Sequence, residues 1–318
     1  MERPRGLRPV LRWFRNWLGG LRRADRGGPA RFDPAWEDIL EREVEFYLAL
    51  PPERRARLRD LIARFVAEKR WWGAEGLEVT DEMKVIVAAF ACLLVLGSSE
   101  LGLYPRTKEV ILFPREFGDR VEAVGPDGRR YDVEDLLLGE THYRGPVLLA
   151  WDSIKPPLRG SRRRQPLVQR RGGDDRADGA ATAEARSSRP KPEVLRESPA
   201  YGDVIIHEFA HAIDSLDGLW DGTPPLGTDE KLRAWARVFD EEYRALVRAA
   251  ERGRRTFLDP YGAEDPTEFF AVAAEAFFLD ADRMRKTHPR LYDMLADFFG
   301  LDPAAWTPSA ADAGPPPR

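Results

Sequence analysis

The sequence predicts a mixed α+β fold, mostly helical, with a small β-sheet beside one helix that carries polar side chains. Three observations predict it. Several long segments place apolar residues at helical spacing behind recognisable start signals. Two short runs, EVILF and VLLA, are rich in β-branched and aliphatic residues and bounded by turn signals. The stretch 204–214, VIIHEFAHAID, sets His207, Glu208 and His211 into an otherwise apolar helix. A hydrophobic content of 43% over 318 residues is enough for a real core.

In chain order, residues 1–31 are strongly basic, with Arg8, Arg12, Arg15, Arg22 and Arg23 among Trp13, Phe14 and Trp17. A short basic amphipathic helix of this kind can touch an anionic membrane surface. A solvated or locally docked tail is preferred here, because one short helix binds membranes weakly. Arginines interrupt every apolar stretch of this region, so it does not read as a signal peptide. A helix is expected over 36–48, and a second over Pro52–Glu68, opened by Pro51-Pro52 and closed by the cations and glycine of KRWWG. Thr80-Asp81-Glu82 opens a buried helix that ends at Val95. Its run 85–96 is too short to span a bilayer, which needs about 20 residues. The single cysteine, Cys92, lies in that run and reads as a core residue; one cysteine leaves no intrachain disulfide and no cysteine-rich metal site.

A β-rich patch follows: a strand over 109–114, a hairpin of 121–124 and 129–133 around Gly125-Pro126-Asp127-Gly128, and a strand over 147–151. Such a sheet can offer an edge to an extended peptide. Residues 155–198 are rich in Arg, Gly, Ser and Pro, with too few apolar groups to order themselves, and read as a disordered insertion. After 204–214 come a loop over 215–228, a helix over 229–252 with Leu232, Trp235, Phe239, Tyr243 and Leu246 on one face, a turn at 260–265, and helices over 267–279 and Pro289–Phe299. The organisation is therefore a basic tail (1–31), helices and sheet of the catalytic unit (32–154), the insertion (155–198), the helical metal-binding part (199–302) and a disordered tail (303–318). A net charge of −4 predicts no general affinity for nucleic acid.

The His-Glu-x-x-His spacing carries the chemistry. Residues four apart share a helix face, so His207 and His211 can reach one metal ion, and Glu208 can address a water on it. The chain has only four histidines, and two fall here. Asp203 is expected to cap the helix, and Asp214, on the histidine face, to orient a ligand imidazole. A catalytic zinc keeps three protein ligands and one open position. His211 is followed by AIDSLD, which lacks the third histidine of the extended motif, and His288 precedes a proline outside the strong helices. Glu268 and Glu275, two turns apart on one apolar helix, are the better sources, and spacing does not choose between them.

HEFAHAID, with LDPYGAEDPTEFFAVAAEAFF downstream, resembles the Mlc titration factor A family of bacterial zinc peptidases, whose catalytic site is similar to that of the anthrax lethal factor metalloprotease domain. RFVAEKRW, SSELGL, EVILFP and GPVLLAW belong to the same resemblance, which runs from about Trp36 to about Leu301 and misses the basic tail and the insertion. In both groups a tyrosine lies seven residues before the glutamate ligand. The resemblance thus implies a zincin-like fold, one Zn2+ per chain held by His207, His211 and Glu268, a catalytic Tyr261 donating to the oxyanion, and Glu275 as a supporting acid. It implies peptide or protein substrates and aminopeptidase-like action, with Glu208 as general base. It also implies a second role, since enteric members bind the transcriptional repressor Mlc: the chain is expected either to hydrolyse peptides or to sequester such a regulator. A cytoplasmic setting is expected.

Overall fold

A computed structural model describes residues 22–23, 30–98, 100–115, 117–124, 130–137, 139–141, 146–154 and 202–306, with backbone alone for 22–23 and the strands between 117 and 141. The insertion 155–198, the hairpin turn at 125–128 and nearly all of the basic tail lie outside the described residues.

The elements run β1 (Arg22–Arg23), α1 (Ala35–Glu43), α2 (Glu45–Ala49), α3 (Pro52–Glu68), β2 (Arg70–Gly73), α4 (Asp81–Val95), β3 (Glu109–Phe113), the hairpin β4 (Phe117–Val124) and β5 (Arg130–Leu137), β6 (Gly139–Thr141), β7 (Val147–Ala150), α5 (Trp151–Ile154), α6 (Asp203–Asp214), α7 (Asp229–Glu251), α8 (Pro266–Leu279), α9 (Ala281–Thr287) and α10 (Pro289–Phe299). This is the mostly helical α+β architecture expected.

The main sheet has the order β1-β2-β3-β7-β6. Its centre is parallel, with Trp71 opposite Val110 and Val110 opposite Val147, while β1 and β6 run antiparallel at the two edges. Strand alternation sends Val110, Leu112, Val147 and Leu149 into the large helical core and Ile111, Phe113, Leu148 and Ala150 into a smaller cluster on the other face. Burial of both faces explains why EVILF and VLLA read as unbroken apolar runs. One continuous core joins Leu40 near the start of the described helices to Ala304 near their end.

Helix α4 is the centre of that core. The Thr80 side chain accepts the Met83 N–H at 3.3 Å, and every residue from Val85 to Val95 is buried. Cys92 is among them, as expected for a core thiol, and burial pushes its pKa up.

Several local expectations are corrected. The helix expected over 36–48 breaks at Val44, which is extended (φ −122°, ψ 91°) and buried. The helix over Pro52–Glu68 ends at Lys69 as expected, but the rest of KRWWG is not a helix exit; Arg70–Gly73 is a strand, because Trp71 is buried in the core and its backbone pairs with β3. Lys69 is buried, its ammonium donating to the carbonyls of Leu103, Tyr104 and Thr107 at 2.6–2.9 Å, and burial lowers its pKa to about 8. Arg22 and Arg23 pair with β2 as a short strand, which docks the tail locally at those two positions, in line with the preferred expectation. The hairpin is longer than 121–133, pairing Phe117 with Leu137. Leu232, expected on the core face of α7, is exposed, while Trp235, Phe239 and Leu246 are buried. Helix α9, polar and seven residues long, had no periodic signal.

Candidate metal centre

Helix α6 is packed between α4, α8 and the β6–β7 edge of the sheet. Its start is not capped by Asp203. The cap position is Gly202, in the left-handed conformation (φ 91°), and Asp203 is the first helical residue, accepting the Val204 N–H at 2.7 Å. A side chain at 202 would meet the Phe90 ring at 2.4 Å, so α4 dictates a glycine there. From this anchored start, one turn separates His207 from His211, and both rings point to the same side with centroids 4.6 Å apart.

Helix α8 supplies the facing acids. Pro266 opens it, and Asp265 caps it by accepting the Thr267 and Glu268 N–H groups at 2.8 and 3.0 Å. Glu268 therefore sits in the first turn and Glu275 two turns on, in a helix whose Phe269–Phe278 stretch is buried throughout.

The structure brings His207, His211 and Glu268 together. The two Nε2 atoms are 3.0 Å apart, and the Glu268 Oε2 atom lies 3.1 Å from the first and 3.6 Å from the second. Among the described residues these three form a group able to hold a metal ion. Tetrahedral coordination at ~2.0–2.1 Å sets neighbouring donors ~3.3–3.4 Å apart, and the three separations bracket that spacing. Glu268 Oε2 is buried and has no hydrogen-bond partner, an expensive arrangement unless a cation completes it. The donor set therefore fits a divalent ion such as zinc.

Glu275 settles the tautomer of His207: its Oε1 atom accepts from Nδ1–H at 2.7 Å, which leaves the Nε2 lone pair facing the cluster. Burial works against a charged His207, but the Glu268 and Glu275 carboxylates outweigh it and raise the imidazole well above its usual range, so a cation binding at Nε2 would displace the proton held there. Burial likewise opposes a charged Glu268, and the facing imidazoles reverse this and hold its carboxyl below the usual carboxylate range. Glu208 is 5% exposed, next to His207 on the helix.

Tyr261 lies in a 3-10 turn, Pro260–Ala263, whose first residues are pinned by Asp259 accepting the Tyr261 N–H at 2.9 Å. Its ring meets the His207 ring at 6.0 Å. Burial, then the Glu268 carboxylate, raises its phenol above the ordinary value, so it stays protonated at neutral pH.

The role expected of Asp214 falls differently. Its Oδ2 atom accepts the Gly222 N–H at 3.1 Å, and burial pushes its pKa to about 7. Glu275, not Asp214, makes the imidazole contact, to His207 Nδ1 at 2.7 Å. His288 pairs with Glu242 at 2.8 Å and packs on Phe257, outside the cluster. His142 lies outside the described residues.

Residues 20–168 and 191–300 match the family model described as glucose-regulated metallo-peptidase M90. The unmatched residues 169–190 fall inside the insertion. An uncharacterized protein of Synechocystis sp. is 33% identical over 274 residues, 85% of each chain. Mlc titration factor A of Escherichia fergusonii is 25% identical over 284 residues, covering 86% of this chain and 89% of that protein. Mlc titration factor A of Klebsiella pneumoniae is 26% identical over 277 residues, 84% and 86% of the two chains. The chain belongs to the glucose-regulated metallo-peptidase family, in which the Mlc titration factor A proteins are its relatives.

Proposed function

We propose that this member of the metallo-peptidase family is a zinc-dependent peptidase in which His207, His211 and Glu268 hold one zinc ion and Glu208 is the general base. The observation that carries the reading is the convergence of two Nε2 atoms and one orphaned carboxylate oxygen within 3.6 Å of one another, with Glu208 buried on the same helix. A zinc ion so bound would lower the pKa of its water to ~7 and polarise a carbonyl. Glu208 takes the proton from the attacking water and returns it to the leaving amine. The protonated Tyr261 phenol donates a hydrogen bond to the oxyanion as it develops. Glu275 keeps His207 in the productive tautomer and orientation.

Among the described residues β6 is the last strand on its side of the sheet and lies beside α6, which supports an extended peptide substrate, since a sheet edge can add one more strand. Aminopeptidase-like action and a cytoplasmic site of action are part of this proposal and rest on the resemblance to the Mlc titration factor A family. Among the described residues no helix is long and apolar enough to cross a membrane.

A second reading is favoured by the relatives' name: the chain binds an Mlc-like transcriptional repressor, with hydrolysis secondary. The two are separated by challenging the zinc-loaded chain and its Glu208→Gln variant with a mixed peptide library and following the products by mass spectrometry. The peptidase reading expects cleavage by the parent and a loss of about 10²–10⁴-fold in the variant. Equal cleavage by both would remove Glu208 from the mechanism, and no cleavage by either would leave the repressor-binding reading.

A further inference from the structure

Large apolar side chains are strongly exposed at five of the described positions, Leu48, Leu219, Trp220, Leu232 and Tyr261. Two of these are aromatic, and both stand against the ligand histidines. Trp220, 41% exposed, stacks on the His211 ring with centroids 6.1 Å apart and planes at 13°. Tyr261 meets His207 and already has a part in the proposed chemistry. Leu219, beside Trp220, is 58% exposed. An apolar patch kept in water at a candidate centre marks a contact surface rather than a packing residue.

The segment that presents these two side chains is tightly held. Asp217 accepts the Leu219 N–H at 2.8 Å, Asp221 accepts the Thr223 N–H at 3.0 Å, and the buried Asp214 carboxylate accepts the Gly222 N–H between them. Gly222 is left-handed (φ 76°), and a Cβ there would lie 2.2 Å from the Pro266 carbonyl oxygen at the start of the helix that carries Glu268. Arg106 donates to the Ser215 carbonyl at the root of the segment. Trp220 is thus fixed from both sides before any ligand arrives, which lowers the entropic cost of binding against it.

We infer that Leu219 and Trp220 form an apolar subsite for a bulky aromatic or long aliphatic side chain on the substrate residue next to the scissile bond, an inference that rests on the peptidase reading above. The indole lies nearly parallel to the His211 imidazole with centroids 6.1 Å apart, so a side chain resting on it comes from a substrate residue close to the metal position. Stacking and burial against an aromatic wall then select large apolar side chains over small ones. Substrates of this class are peptides with Phe- or Leu-like residues at the cleaved bond.

The test is calorimetric binding of phenylalanine hydroxamate and alanine hydroxamate to the zinc-loaded chain, with Trp220→Ala and Trp220→Phe, alongside cleavage of peptides bearing Phe or Ala at the same position. The phenylalanine probe is expected to bind about tenfold or more tighter than the alanine probe, a typical gain from filling an apolar pocket. Trp220→Ala should bring that ratio close to one, and Trp220→Phe should retain most of it. Equal weakening of both probes by Trp220→Ala would mean that the indole only shields His211, and would overturn the subsite. So would an unchanged ratio, tighter binding of the alanine probe, or no binding of either. A ratio that collapses as expected while no peptide is cleaved would sink the peptidase reading and leave the subsite standing. Cleavage with the ratio unaffected would do the reverse.

Discussion

Helices α4 and α6 are buried along almost their whole lengths, touch each other, and spend that burial differently. In α4 everything inside is apolar, from Val85 to Val95, and at its start the Thr80 side chain accepts the Met83 N–H. In α6 the interior holds Glu208, His211 and Asp214, with His207 partly covered, and the start has no side-chain cap because Phe90 of α4 occupies the space. Each buried donor or acceptor left unpaired, as His211 Nδ1 and Asp214 Oδ1 are, costs about 1–3 kcal/mol. One helix therefore lowers the free energy of the fold, and the other is held in place by its neighbours while carrying groups that an optimised core would exclude. The contrast separates what folds the chain from what the chain does.

Predictions can break that separation. The largest effect is expected in the scaffold: Ile86→Ala, fully buried in α4, should lower unfolding free energy by about 2–5 kcal/mol in urea titrations. The loss should be the same with zinc bound or removed, and a loss seen only in the zinc-loaded protein would mean that α4 is part of the centre. Next comes Tyr261→Phe, which removes one hydroxyl from a half-exposed ring. Its kcat should fall about 10²-fold with stability and zinc content unchanged, the cost of losing one oxyanion donor. Unchanged turnover would return Tyr261 to a packing role. The smallest is Glu275→Gln, which weakens the contact to His207 Nδ1 without emptying the space. Zinc affinity, read by competition with a chelator, should drop about 10–100-fold. A change in turnover at saturating zinc with no change in affinity would place Glu275 in the chemistry instead.

The same contrast explains how much was legible in the sequence. Helix α4 announces itself by a local cap signal and an unbroken apolar run, and α6 by a spacing that is itself local. Both were therefore readable from a few adjacent residues. What could not be read depends on distant partners. Trp71 and Trp72 look like a helix exit until β3, at Val110 and Ile111, supplies the pairing that makes them a strand. Gly202 takes the cap position from Asp203 because of a ring more than a hundred residues earlier. Glu268 and Glu275 have equivalent spacing, and only their placement across from α6 separates an orphaned oxygen from one bonded to His207 Nδ1. Leu219 and Trp220 carry no sequence signal, because exposure of an apolar side chain leaves no mark in the sequence.

The central claim is that α6 and α8 together build a three-ligand zinc site, and metal stoichiometry tests it most directly. Mass spectrometry of the protein purified from zinc-replete medium is expected to give about one zinc per chain for the parent and for Glu208→Gln. Bound zinc should be lost in His211→Ala and in Glu268→Ala, with both variants still folded by circular dichroism. Absence of zinc from the parent after reconstitution, or full retention in Glu268→Ala, would contradict the account.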